Sequence, residues 1–324
     1  VGIQAAAGAP VVAKYELDFI SETLHGQGEP IRRKSINRTR AVKGAVMGGY
    51  SAEGDISVEV TPDKFSTLLY AALTSLQTTT SADPFTHVFK PGATLLPLSV
   101  HLQRANQLFV YPDQYVNRLT FRGVIDAILE ATVGLQGRGL ERVYNEEKSD
   151  ALIAVSSADP FVFWGATVQL HGSASTDTNN HELSINTGLT RVKGLGAGRP
   201  HNRAHPGDSL VEGSFDFVFD SIEEHRRWMG AASSSYPINP ANTLQTLTLQ
   251  LKWTQSASRT LTIDIPKAYY KASGPAVNGR EGIVMQRCEW SSLYNGSPDL
   301  ADVVVTLKNG EANAAITAAA DPIS

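Results

Sequence analysis

Two histidines four residues apart, His201 and His205 in HNRAHPGD, have the spacing of a metal-binding pair. That spacing converges two imidazoles only on a helix, and Pro200, Pro206 and Gly207 bracket this segment. No Glu follows the first His as the helical zinc-protease pattern requires, so the stretch reads as a loop. GLGAG at 194–198 resembles a phosphate-binding turn but lacks the full glycine pattern and a following helix. The carboxylates Glu146 and Glu147, like Glu223 and Glu224, are sequence neighbours and point to different sides of an element rather than across a cleft. Cys288 is the single cysteine; it excludes an intrachain disulfide and reads as a small buried hydrophobe. There is no GxSxG elbow and no paired CxxC. The densest charge is Arg32, Arg33, Lys34, Arg38, Arg40 and Lys43, which could meet phosphates or an acidic neighbour. The inventory yields no catalytic residue, no cofactor site and no metal site.

At 324 residues the chain is long enough for two domains of about 150 residues each. With 42% hydrophobic and 19% charged residues it is an ordinary globular composition, and a net charge of −4 argues against tight nucleic-acid binding. No run approaches the ~18 apolar residues of a membrane helix. The opening VGIQAAAGAPVVAKYELDF lacks the basic n-region of a secretory signal, which predicts a soluble, cytosolic product.

The elements that position these groups follow one plan twice. SINRTRAVKG at 35–44 is echoed by SINTGLTRVKG at 184–194. After each comes a polar stretch and then an alternating strand, with Ile56, Val58 and Val60 in GDISVEV and Phe215, Phe217 and Phe219 in GSFDFVF. Each strand runs into a helix start. Thr61, Pro62 and Asp63 predict a capped helix over about 61–77, and Asp220 with Glu223 predicts another over about 220–230. Later strands are expected at 96–102, 116–121 and 124–135, and again at 247–251, 261–265, 282–290 and 303–307. The entries YELDF and ATVQL also correspond. The expectation is an internal duplication, 1–155 and 156–324, of a β-rich unit with one helix. It places Gly54 on Gly213 and Thr61 on Asp220.

The stretches GIQAAAGAP, GDISVEVTPDKFSTLLYAAL, FTHVFKPGATLLPLSVHL and PFVFWGATVQLHG with its SINTGL continuation resemble the tail tube proteins of long-tailed bacteriophages. The resemblance runs over most of the chain. It implies a mainly β fold of two tandem β-sandwich domains, each with one flanking α-helix, whose inner sheets join into a ring-wide β-barrel. It also implies rings that stack into the hollow tail tube through which the genome is ejected. Two fused copies imply three chains per pseudo-sixfold ring. The implied partners are the chain itself and the tape measure, distal tail and terminator proteins. DNA passes without specific binding, and the location is the virion tail after synthesis in the host cytoplasm. A net charge of −4 per chain suits a bore that does not grip phosphate.

The N-terminal arm through Lys14, the loops 44–53 and 199–208 and the tail EANAAITAAADPIS carry little apolar material to pack alone. With the cluster from Arg32 to Lys43 and with His201, Arg203 and His205, they are the expected ring-stacking contacts. Three other readings compete. One is a hexameric tube with 156–324 as an outer decoration. The second is a carbohydrate-binding adhesin presenting Tyr111, Tyr115, Tyr269 and Tyr270. The third, a β-sandwich hydrolase, lacks a converging acid–base set.

Overall fold

The computed structural model describes residues 1–34, 44–80, 82–139, 141–144, 158–175, 178–196, 198–201, 203–230, 244–276, 284–297, 299–312 and 316–317. The boundary expected at 155/156 lies outside the described residues, as does most of the SINRTRAVKG stretch. In chain order the first elements are β1 (Gly2–Ile3), β2 (Phe19–Glu22), β3 (His25–Gly28), β4 (Ile31–Arg32), β5 (Ala45–Val46) and β6 (Tyr50–Glu59). There follow α1 (Phe65–Leu73), β7 (Thr74–Thr78), β8 (Phe85–Pro91), β9 (Leu98–Arg104), β10 (Gln107–Val124), β11 (Glu130–Gly137) and β12 (Arg142–Tyr144). The later series is β13 (Ala166–Leu170), β14 (Ser173–Ser175), β15 (Thr178–Asn186), β16 (Thr190–Val192), β17 (Arg203–His205) and β18 (Leu210–Val218). It ends with α2 (Glu223–Trp228), β19 (Thr246–Ser256), β20 (Arg259–Ala276), β21 (Met285–Ser292) and β22 (Val304–Asn309). Among the described residues, eighteen strands belong to one hydrogen-bonded assembly, while β4–β5 and β16–β17 are separate two-stranded ribbons.

The same antiparallel pairing order occurs twice. β6 pairs β11, β11 pairs β10 and β10 pairs β9; β18 pairs β21, β21 pairs β20 and β20 pairs β19. The irregularities recur as well. β2 meets β6 with Ile20 left out between Phe19 and Ser21, and β15 meets β18 with Asn179 left out between Thr178 and Asn180. Gly54 and Gly213 are placed alike: a Cβ on Gly54 would lie 2.5 Å from the Thr23 carbonyl, and one on Gly213 2.4 Å from the Glu182 carbonyl. At both positions the neighbouring backbone approaches too closely for any side chain. The two series are joined directly, because the last third of β10 (Arg118 to Val124) pairs with β15, and β22 pairs with β8.

Alternation places Val58, Ala131, Val133, Leu119, Phe121, Leu183, Ile185, Phe215 and Trp290 on the buried side of this sheet. Phe65 of α1 packs edge-on against Phe121, with ring centroids 5.7 Å apart, which pins the helix over the sheet.

Both helices are shorter than their sequence patterns predict. Thr61 does not cap α1: its hydroxyl donates to the Asp63 carbonyl at 2.8 Å, and the chain turns through Lys64 at φ 67 before the helix begins. The helix terminus is instead met by Glu311, whose carboxylate accepts from the Ser66 hydroxyl and the Lys64 backbone N–H. Thr74, at φ 63, stops the helix, and Leu76 continues into β7 opposite Phe89 rather than along a helical face. α2 begins after Ile222, and Ser221, not Asp220, accepts the Glu223 N–H at 3.2 Å. Of the earlier half of the SIN/VKG echo, only Gly44 lies among the described residues. Gly44 directly precedes the returning arm β5, whereas Gly194 follows the outgoing arm β16.

The N-terminal arm is packed, contrary to expectation. Ile3, Val11, Ala13 and Tyr15 are buried, the N-terminal ammonium donates to the Tyr15 carbonyl at 2.7 Å, and Gly8 N–H donates to Asp113 Oδ1 at 2.6 Å. Glu311 and Ile316 of the tail are likewise packed.

Candidate assembly surfaces

The ribbons β4–β5 and β16–β17 extend from the paired strands β3–β6 and β15–β18 and carry most of the described residues expected to stack rings. Arg32 ends β4 and is exposed, as are Arg33 and Lys34, while Arg203 and His205 begin and end β17, also exposed. Arg38, Arg40 and Lys43 lie outside the described residues. His201 is half-buried, and burial followed by the neighbouring Arg191 and Lys193 lowers its pKa. Exposed apolar side chains accompany the charges: Ile31, Val46 and Met47 on one ribbon, Val192 and Leu195 on and after the other.

The loops 44–53 and 199–208 meet each other. The Tyr50 N–H donates to the Arg199 carbonyl at 3.0 Å, Arg199 Nε donates to the Gly48 carbonyl at 3.0 Å, and its guanidinium stands over the Tyr50 ring. Arg191 pairs with Glu53 at 2.6 Å and donates to the Gly137 carbonyl at 3.0 Å. Tyr50 and Tyr111 both donate to Glu141 at 2.9 Å. The two ribbons therefore leave the sheet from a common, hydrogen-bonded base.

A second surface was invisible in the sequence. On the solvent side of the sheet, register aligns residues into rows crossing six strands. One row is Glu59, Glu130, Arg122, Glu182, Ser214 and Glu289. The next is Ser57, Thr132, Thr120, Ser184 and Glu212, ending at the buried Ser291 of β21, with Ser57–Thr132 and Thr120–Ser184 hydroxyls 3.2 and 3.1 Å apart. Cations on this side have carboxylate neighbours. Arg118 pairs with Asp55 at 3.4 Å, Arg287 with Glu289 at 3.6 Å and Lys271 with Glu212 at 2.6 Å, and Arg122 has Glu130 and Glu182 as its cross-strand neighbours. Exposed pairs of this kind add little stability, and their consequence is a face with few unneutralised positive charges.

Several titratable groups are held in the interior among the described residues. Burial pushes the Cys288 thiol up to about 12, so it stays protonated beside Ser273 and Gln286. Burial holds His181 neutral, with its pKa down at about 4, against Trp253 at the wall of a cavity of 460 Å³. Glu224 of α2 accepts from Tyr270 of β20, lies near His171 and Arg227, and is half-buried. Among the described residues no group of three His, Cys, Asp or Glu is placed to hold a metal ion, and no helix is long and apolar enough to cross a membrane. The aromatic platform expected of an adhesin is mostly internal, since Tyr111, Tyr115 and Tyr270 are buried.

The chain is mainly β, with much of its polar and charged chemistry spread over a sheet face and two projecting ribbons. The family model for phage tail tube proteins matches residues 1–292, and the chain belongs to that family. No curated protein matches the chain. Its role is accordingly structural, as a component of the virion tail that assembles into the tube and contacts other tail proteins.

Proposed function

We propose that the chain is two copies of one unit and that three chains close a pseudo-sixfold ring. In this reading the rings stack through the β4–β5 and β16–β17 ribbons, and the rowed polar face lines the channel through which the genome is ejected. The carrying observation is that face. It runs without interruption from β6 across the β10–β15 junction to β21, bearing carboxylates, hydroxyls and cations that sit beside carboxylates. A wall of that composition offers DNA few free positive charges and little counterion release, so the duplex slides. The recurrence of pairing order and of both register irregularities supports two wall segments per chain. Two segments per chain close six positions with three chains. The tape measure, distal tail and terminator proteins are the partners this reading expects at the channel and the ends. Cryo-electron microscopy of assembled tubes tests it. Threefold rings with Glu130, Arg122 and Glu182 at the bore are expected; six chains per ring with 156–324 outside the wall would replace it with a decorated hexamer.

A further inference from the structure

The junction between β10 and β15 inside the chain has an unfilled counterpart at the chain's two outer edges. β10 holds β11 on one side and, beyond β9, takes β15 on the other, with Arg118 opposite Asn186 and Leu119 opposite Ile185. β20 is built the same way. It holds β21 through Ala276, and β19 leaves it after Tyr269, so among the described residues Ala272 to Gly274 have no strand on the far side. The strand matching β15 in the earlier series is β2 with β3, which pairs only with β6 among the described strands and is largely exposed along its length. Thr23 and Leu24, between them, correspond to Glu182 and Leu183, because Glu22 and His181 sit opposite Ile56 and Phe215 while His25 and Ser184 sit opposite Glu53 and Glu212.

We infer that β3 of a second copy docks on the open edge of β20, with Ala272 opposite Gln27, Ser273 opposite Gly26 and Gly274 opposite His25, displacing His225 from that edge. The inference rests on the tube reading and assigns its lateral contact to residues. Four observations carry it. The paired irregularities at Asn117 and Lys271 set β20 in the same register against β21 that β10 holds against β11. The receiving positions are small, Ala272 and Gly274, with nothing within 4 Å of a Cβ on Gly274, and they face the larger His25 and Gln27. The Ser273 carbonyl, where the arriving strand would bond, accepts from His225 Nδ1 at 3.0 Å, so α2 covers a backbone group that an open edge would leave to solvent. Pro275, which has no N–H to donate, is the expected residue on such an edge and ends the pairing.

Ala272→Cys with Gln27→Cys in one chain tests the register, because directly opposed Cα atoms across a strand pair lie within disulfide reach. Under mild oxidation of assembled protein the variant is expected to give an interchain ladder on denaturing gels. Ala272→Cys with Thr23→Cys, four residues out of register, should give none. Arg118→Cys with Asn186→Cys should close within the chain and serves as the geometric control. Tubes or rings of the Ala272→Cys, Gln27→Cys variant that form without this interchain disulfide would overturn the inference and leave the tube reading standing. A wild-type chain that forms no ring or tube under any condition would overturn both. His225→Ala should speed assembly several-fold, and an unchanged rate would remove its part in covering the edge.

Discussion

Asn117 and Lys271 are each passed over by the strand beside them. β11 pairs Leu135 with Val116 and then Gly134 with Arg118, and β21 pairs Trp290 with Tyr270 and then Glu289 with Ala272. A bulge adds twist and bends the strand that carries it, so the same bulge in the same pairing order bends both long strands at the same point. Each bend falls where the strand leaves its hairpin partner, β9 or β19.

The matched glycines make this testable. Gly54→Ala and Gly213→Ala should each destabilise the fold by about 1–3 kcal/mol, because the new methyl meets backbone that cannot move aside. Gly274→Ala, with open space around it, should change little. Thermal or urea denaturation of the three variants distinguishes them.

The polar face predicts an electrostatic effect. Glu130→Lys with Glu182→Lys surrounds Arg122 with cations where carboxylates now stand. The tubes are expected to assemble, to bind DNA at low salt and to release it steeply as salt rises. DNA binding by the variant that does not differ from wild type would remove this face from the bore.

His181 gives the fold a pH dependence. Its folded pKa, about 4, lies below the ordinary value of 6.5 because of burial, so the unfolded chain takes up the proton first as pH falls. The stabilisation is complete above pH 6.5 and is lost as pH drops toward 4, by roughly 3 kcal/mol in all. His181→Leu should flatten that part of the stability profile; an identical slope in both proteins would contradict it.

Glu311 reaches α1 from far along the chain. Glu311→Ala leaves Ser66, buried, and the Lys64 N–H without their acceptor and should cost about 1–3 kcal/mol. Removing 311–324 should also lower the melting temperature, since the buried Ile316 goes with it.

Much of this architecture was determined by local sequence. Alternation in GDISVEV and GSFDFVF marks β6 and β18, and the order strand, helix, strands recurs because the same short-range patterns recur. The family was legible for the same reason, being carried by those strand patterns. The bulges that align the two series leave no residue-type signature. Period-two alternation defines two faces of a strand without saying which neighbours extend them, so the rows through Arg122 and Thr120 required the register of six strands. Helix α1 shows the same limit at one residue. Thr61 has the right type and place for a cap, yet the acceptor is Glu311, because the tertiary fold buries a carboxylate against that terminus and no local rule can count a partner so distant in sequence.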